Sequence, residues 1–407
     1  MLMNEATWSY VLQHRNDDVR TLALQGGRDP GVDLQMALQQ IAGWQTARRK
    51  LPTWAAVDGI IYPPHLNMEQ CSSEQTARYK ESIIPAPSPS GEERDVFIDL
   101  TGGLGVDFYW MSQRFHSRFY VEQSEELCAI AEHNFRVLGL SCQVLCSNAA
   151  DSLPQLPHAS VIFLDPARRD SHGARTYGIA DCTPNVLELL PLLLQKADTV
   201  ILKLSPMLDW RKAVQDLGCV SEVHIVSVDN ECKELLLVLS KQPAESLRLC
   251  CVNNDSCLEF VRSEQTLSPK PADSESEAYG LKVRQGQTLY LYEPNASIMK
   301  AGCFLELEER FAVHQLSANS HLFISHQLLS DFPGRGFLVD AVSSLNKREV
   351  KASLAGIDRA NISTRNFPMT PQELRKRLKI KDGGDVYLFA TTVGRDCHQL
   401  VICRKIG

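Results

Sequence analysis

The spacing of apolar positions divides the chain into three stretches. Up to about residue 85 they recur with a helical period, and in residues 32–42 Leu34, Leu38 and Ile41 fall on one face. Gly26, Gly27 and Pro30 separate that helix from an earlier one, Leu51-Pro52 opens another segment and Tyr62-Pro63-Pro64 closes it. Ser72 and Gln75 stand at capping-box spacing, which predicts a helix to about Ile83. Gln70, Thr76 and Lys80 on this segment face either solvent, as part of a helical cap, or a ligand, as part of a lid. Residues 85–91 read as a turn or linker.

From 95 to 240 short β-branched runs alternate with amphipathic helical stretches, as a parallel sheet requires. Strands are predicted at 96–98, 119–122, 141–145, 160–165 and 199–205, and helices at 124–138, 185–196 and 209–217. Two final strands, 221–229 and 234–240, are joined only by a turn around Asn230. No helix fits between them, so they pair antiparallel. Beyond 241, strands at 247–252 and 257–261 precede a polar loop at 268–277, and 288–302 reads as strand then helix. A strand at 337–340, a helix at 345–354 and a strand at 356–362 follow. Thr370, Pro371 and Glu373 form a full helix start, Gly383-Gly384 ends that helix, and 385–392 with 399–405 make a hairpin about Gly394-Arg395-Asp396.

A length of 407 residues suggests two or three domains, and 44% apolar residues suffice for a core. The changes of pattern draw boundaries for a helical domain at 1–85, an α/β domain at 86–240, a small α+β domain at 241–330 and a last domain at 331–407. No apolar run reaches the roughly 18 residues of a membrane span, and Met1 to Glu5 lack a signal-peptide pattern. Thirteen cysteines, without C-x-x-C pairs, argue against a disulfide framework or a zinc site and for a reducing cytoplasm; adjacent Cys250 and Cys251 read as strand residues. The formal charge of −7 predicts no general attraction to nucleic acid. Its distribution is uneven, because residues 331–407 hold 14 Lys and Arg against 8 Asp and Glu. Either a polyanion partner or a solvated basic face accounts for that asymmetry.

The candidate chemistry begins at Val96-Phe97-Ile98-Asp99-Leu100-Thr101-Gly102-Gly103-Leu104-Gly105-Val106-Asp107, a buried strand running into a glycine turn and a helix. The glycines let a ligand approach the backbone closely. Gly103 and Gly105 fill two places of the dinucleotide fingerprint, but Phe108 stands at the third. Asp99, at the strand's end, would repel a pyrophosphate but suits a sulfonium and an ammonium. The stretch resembles the first motif of class I S-adenosylmethionine-dependent methyltransferases, and Glu122 closes the next strand where that fold holds the ribose hydroxyls. The resemblance implies S-adenosyl-L-methionine at Asp99, Thr101, Gly102, Gly103, Gly105, Asp107 and Glu122. After the third strand, Asn148 or Asp151, with Ala149 beside them, would meet the adenine. The implied architecture is a doubly wound sheet, parallel with a terminal antiparallel hairpin.

Asp165-Pro166-Ala167-Arg168-Arg169 lies just past the fourth strand, at the sheet edge where ligands bind. Asp165-Pro166 matches the first half of the D-P-P-Y motif of methyltransferases acting on nucleobase amines, while Ala167 and Arg168 depart from the second half. Arg168 would stack on a base or, with Arg169, grip a phosphate; pairing with Asp170 and Asp181 is the structural alternative. Lys203, inside an apolar run, would partner Asp165 or a substrate phosphate, or snorkel to solvent.

With Arg365-Asn366-Phe367-Pro368 and Lys381-Asp382-Gly383-Gly384, these motifs resemble a bacterial family joining a class I methyltransferase domain to a C-terminal THUMP-like domain. THUMP domains are RNA-binding modules, and the catalytic part is similar to RNA guanine-N2 methyltransferases. The resemblance implies an RNA substrate. On the basic helix Arg375 and Lys379 are four apart and share a face that Lys376 joins, while Arg377 points elsewhere, which makes Arg375, Lys376 and Lys379 the expected phosphate contacts. Two other functions remain open: a small-molecule or protein methyltransferase, and a non-catalytic RNA-binding protein.

Overall fold

The computed structural model of the chain describes residues 3–26, 30–85, 95–168, 178–241, 246–263, 288–317, 319–393 and 397–406. Gly27, most of the predicted linker, Arg169, Asp170, the 268–277 loop and the Gly394-Arg395-Asp396 turn fall outside them. The chain forms two compact units, Met1–Val223 with Glu234–Glu245, and His224–Lys233 with Ser246–Gly407. Among the described residues no helix is long and apolar enough to cross a membrane.

The first unit opens with six helices: α1 (Glu5–His14), α2 (Val19–Gln25), α3 (Leu34–Lys50), α4 (Pro52–Ala55), α5 (His65–Gln70) and α6 (Glu74–Ser82). Helix α3 buries Ala37, Gln40, Ile41, Gly43 and Ala47, whereas Leu34 and Leu38 of the predicted face are half-buried. Tyr62 sets that choice. Its backbone amide and carbonyl both bond the buried Gln40 amide at 2.8 Å, and a Cβ on Gly43 would lie 2.3 Å from the Tyr62 Cβ. The capping box predicted from Ser72 is not formed. Ser73 caps α6 by accepting from the Thr76 amide, and the Ser72 hydroxyl turns inward to Asp107.

Seven strands then build a doubly wound sheet: β1 (Val96–Asp99), β2 (Ser117–Glu122), β3 (Gln143–Cys146), β4 (Ala159–Leu164), β5 (Ala197–Leu204), β6 (Val220–Val228) and β7 (Glu231–Ser240). Their order is β6-β7-β5-β4-β1-β2-β3. The pairs β1–β2, β1–β4, β2–β3 and β4–β5 are parallel, and β7 runs antiparallel to β5. Asp229 and Asn230 make the β6–β7 turn with φ of 51° and 61°, a conformation their short side chains tolerate. Between the strands lie α7 (Val106–Met111), α8 (Glu125–Val137), α9 (Ala149–Ser152), α10 (Val186–Lys196) and α11 (Trp210–Leu217). Phe97, Phe108, Tyr120, Phe135 and Phe163 are fully buried between sheet and helices. The rings of Phe97, Phe108, Tyr120 and Phe135 pack at 5.0 to 5.9 Å, directly beneath the glycine turn.

In the second unit, β8 (Ser246–Asn253) lies beside β6, whose residues from His224 on belong to the same unit, and pairs antiparallel with β9 (Ser256–Ser263). Cys250, Cys257 and Glu259 on this hairpin place their ligand atoms within 4.8 Å of one another, a grouping that spacing along the sequence hides. Glu259 also faces Arg248 at 3.7 Å. The unit continues with β10 (Tyr290–Pro294), α12 (Ala296–Ala301), α13 (Phe304–Phe311), β11 (His314–Gln315), β12 (Phe323–Ser325), β13 (Gly334–Ser344), α14 (Lys347–Ser353), β14 (Asn361–Arg365), α15 (Pro371–Leu378), β15 (Val386–Val393) and β16 (Cys397–Lys405). Its sheet has the order β11-β12-β10-β13-β16-β15-β14.

Three elements of this unit differ from expectation. Strand β13 extends well beyond 337–340, because a bulge between Val339 and Ala341 lets pairing with β16 continue. Strand β14 starts at Asn361 rather than 356, since Gly356 has φ of 81° and turns the chain. Helix α15 stops at Leu378, where Lys379 takes φ of 55° and its amide bonds the Arg375 carbonyl. Gly383-Gly384 therefore lies in the following loop, and Lys379 does not share a helix face with Arg375. Leu374 and Ile380 take the core, and Leu378 is half-buried.

Candidate active site

The turn after β1 is held by contacts that differ from glycine to glycine. The Leu100 amide continues the β1–β4 ladder by donating to the Phe163 carbonyl at 3.0 Å. The Asp99 carboxylate accepts from the Thr101 amide at 2.9 Å. It is 1% exposed, and burial pushes its pKa well above the usual carboxylate range. Gly102 donates to the Val121 carbonyl at 2.9 Å, and a Cβ there would lie 2.0 Å from the Tyr120 ring. Gly105 caps α7 with φ of 85°, and a Cβ on it would lie 2.5 Å from the Phe135 ring. Gly103 also has positive φ, 57°, but its Cβ direction is open, with nothing nearer than 4.0 Å.

Gly103 is also the tie between β1 and β2. Its carbonyl accepts from the Tyr120 hydroxyl at 2.5 Å, a phenol that burial keeps neutral. Its amide donates to Glu122 Oε2 at 2.9 Å, and Glu122 Oε1 accepts from the Ser124 amide at 2.9 Å. Each carboxylate oxygen keeps a second lone pair, so Glu122 is oriented and can still accept from a ligand diol.

Thr101 links this turn to the end of β4. Its hydroxyl accepts from the Asp165 amide at 2.6 Å. The Asp165 carboxylate accepts from Lys203 Nζ at 2.5 Å. Lys203 also sits 3.7 Å from Asp107 Oδ2. Burial disfavours the ammonium, but Asp165, Asp107 and Glu234 outweigh it and raise the Lys203 pKa. Of the partners left open by the sequence, the structure supplies Asp165.

These groups line one cleft of about 510 Å³, a size suited to a nucleoside-sized ligand. It gathers Asp99, Thr101, Gly102, Gly103, Gly105, Asp107, Glu122, Asn148, Ala149, Asp165 and Lys203 from the predicted set. Pro166 is buried behind it. The Arg168 backbone forms a short ladder with Cys182, and its side chain, like all of Arg169, lies outside the described residues. Asp107 is engaged by Ser72 Oγ at 2.7 Å and Lys80 Nζ at 3.2 Å. Asn148 uses its amide to cap α9 through Asp151, and Asp151 is not among the lining residues.

Sequence reasoning missed Gln123 and Leu127, which follow Glu122 and were findable by position, and Asn67, Cys71 and Ser72, which carry no motif. Of the three suggested lid residues Gln70 reaches the cleft, whereas Thr76 and Lys80 are buried away from it. Arg375, Lys376 and Lys379 belong to the second unit. Lys376, Arg377 and Lys379 are exposed, while Arg375 is half-buried and paired with Asp382, so the exposed basic cluster includes Arg377 in place of Arg375.

The donor set fits S-adenosylmethionine. Carboxylates at Asp107 and Asp165 line the cleft and suit its cationic centres, Glu122 presents acceptors for a ribose diol, and Gly103 leaves room at the backbone.

Comparison with known proteins gives a consistent placement. Residues 334–405 match a THUMP domain-like family and residues 290–333 a ferredoxin-like domain. A candidate methyltransferase from Porphyromonas gingivalis W83 superposes over 100% of both chains, with 31% identity and a TM-score of 0.82. Two further matches are too distant to bear on activity. TrmK from M. capricolum, solved with S-adenosylhomocysteine, has 11% identity and a TM-score of 0.32 over 42% of this chain and 69% of its own. A candidate class I S-adenosylmethionine-dependent methyltransferase from Listeria monocytogenes has 10% identity and a TM-score of 0.37 over 62% and 94%. No curated protein matches the chain.

Proposed function

The chain belongs to the family of the Porphyromonas gingivalis protein, class I S-adenosylmethionine-dependent methyltransferases with a C-terminal THUMP-like domain, and on that premise we propose that it methylates a base in structured RNA such as tRNA or rRNA. S-adenosyl-L-methionine is the cofactor. The target we favour is an exocyclic amine, guanine N2 first. One observation carries this reading: Asp165, followed by Pro166, lies at the carboxyl edge of β4 and lines the same cleft as Gly103 and Glu122.

When bound, the cofactor supplies a methyl group on a sulfonium, already a good leaving group. The chain's own part is positioning. Asp165 accepts a hydrogen bond from the acceptor amine and turns its lone pair toward the methyl carbon. Pro166 stiffens the turn, and Lys203 holds the carboxylate from behind. The proton lost by the amine passes to water. Arg168 and Arg169 contact the base or a flanking phosphate. Residues 331–407, with their excess of basic residues, dock the RNA.

Transfer of tritium from labelled S-adenosylmethionine into total RNA, protein and metabolite pools tests the proposal. Label in RNA, located to a modified guanine after digestion, is the expected result; label confined to metabolites or protein would replace the RNA reading.

Reversing Lys376, Arg377 and Lys379 to Glu should weaken RNA binding by a similar factor on unrelated RNA sequences, because phosphate contacts carry little sequence information. The salt slope should flatten by roughly two to three contacts. Melting temperature and cofactor affinity should hold, since all three side chains are exposed. Filter binding at two salt concentrations decides it, and wild-type behaviour at both would withdraw the docking role.

A further inference from the structure

Five charged groups of alternating sign run from the N-terminal helices to the cleft. Lys80 of α6 lies between Glu234 of β7, at 2.6 Å, and Asp107 Oδ1 of α7, at 3.2 Å. Asp107 Oδ2 is 3.7 Å from Lys203 of β5, and Lys203 is 2.5 Å from Asp165. Lys80 has no exposed side-chain surface and Glu234 only 4%, whereas Asp165 has 39%. The chain therefore opens to the cleft at the acceptor-side carboxylate. Lys80 itself touches no part of the cleft, so binding of a ligand does not explain it.

Asp107 is the junction. It has a cation on each side, and what it takes from one it does not need from the other. Burial works against its charge, yet Lys80, then Lys203 and the Ser72 hydroxyl, hold its pKa below the usual carboxylate range. Burial pushes Glu234 above that range despite Lys80. Lys80 thus serves both carboxylates: it donates to Glu234 at 2.6 Å and lies 3.2 Å from Asp107, closer to it than Lys203 is. Without it, Asp107 would be left with Lys203 as its nearest cation, and Lys203 is the group that holds Asp165.

We propose that Lys80 is a positioning residue for methyl transfer: by engaging Asp107 it leaves Lys203 to Asp165 and so fixes the carboxylate that receives the acceptor amine. This rests on the reading of Asp165 given above. It gives the N-terminal helices a part in the chemistry distinct from covering the cofactor, a charge delivered through Asp107.

The test uses the full-length protein, labelled S-adenosylmethionine and total RNA. Lys80→Met alone strands two buried carboxylates and is expected to destabilise the fold. Pairing it with Glu234→Gln removes one of them. The double variant is expected to melt close to wild type, to bind S-adenosylmethionine within about threefold by calorimetry, and to lose about tenfold or more in kcat. Lys80→Arg, which keeps the cation, is expected to hold kcat within a few-fold of wild type. Wild-type kcat in the folded double variant would overturn the inference, as would a loss that merely follows cofactor affinity. If the double variant does not fold, Lys80→Arg decides: turnover lost with cofactor affinity kept would show that the cation is not what matters. If wild-type protein itself transfers no label to RNA, the Asp165 reading fails first and this inference falls with it.

Discussion

A Gly103→Val protein is expected to fold and to have lost S-adenosylmethionine. The two neighbouring glycines set the contrast. A side chain on Gly102 would enter the Tyr120 ring at 2.0 Å, and one on Gly105 would enter the Phe135 ring at 2.5 Å. Both rings are buried in the aromatic core, so neither can move cheaply. Gly102→Ala and Gly105→Ala should therefore lower the melting temperature sharply, and any loss of ligand in them says little about the cleft. Gly103 meets nothing within contact distance. Its cost is that of a branched residue held at positive φ, roughly 1 to 2 kcal/mol, which a domain of this size can absorb. The added methyl groups instead occupy the open side of the turn, where a ligand must approach the backbone. Calorimetry on a variant shown to be folded by its melting curve checks this. Wild-type affinity in a folded Gly103→Val protein would place the cofactor elsewhere.

Much of the first unit was legible because its signals are local. A buried strand ending in an acid recurs at Asp99, Glu122 and Asp165, and the turn after Asp229 is too short for a crossover, so a mostly parallel sheet, its antiparallel closing hairpin and the ligand edge followed from the alternation. The helix starts at Ser124, Asn185, Asp209 and Thr370 were readable for the same reason. What the sequence hid is tertiary. Lys80 and Glu234 are 154 residues apart, and the polar run around Lys80 looks like any solvated helix face. Ser72 and Ser73 are equivalent by spacing, and only the presence of Asp107 draws Ser72 inward. Lys379 ends α15 in a left-handed conformation that glycine signals more plainly, which is why Gly383-Gly384 read as the stop. Arg375 looked exposed until Asp382, in the loop those glycines shape, folded back onto it.

The other large effect belongs to Asp165. Asp165→Ala is expected to lower turnover on the order of 100-fold, the scale of a misplaced reacting group, with cofactor affinity kept within about tenfold. The carboxylate is 39% exposed and faces the cleft, and its removal leaves Lys203 with Asp107 at 3.7 Å, so the fold should survive. Asp165→Asn separates two roles that Ala cannot. If Asp165 acts only by accepting a hydrogen bond from the acceptor amine, the Asn carbonyl oxygen can replace it, and Lys203 can donate to the same oxygen. Turnover should then stay well above that of the Ala variant. If instead the carboxylate takes the amine proton in the transition state, Asn is as poor a base as Ala is, and the two variants should fall together. The short contact with Lys203 argues for the first outcome. A carboxylate oxygen held by the Lys203 ammonium is fixed in place as a hydrogen-bond acceptor. Single-turnover rates of the two variants against one RNA pool, at saturating S-adenosylmethionine, distinguish them. Equal loss in both would make Asp165 a proton acceptor, and unchanged turnover in Asp165→Ala would move the acceptor site away from β4.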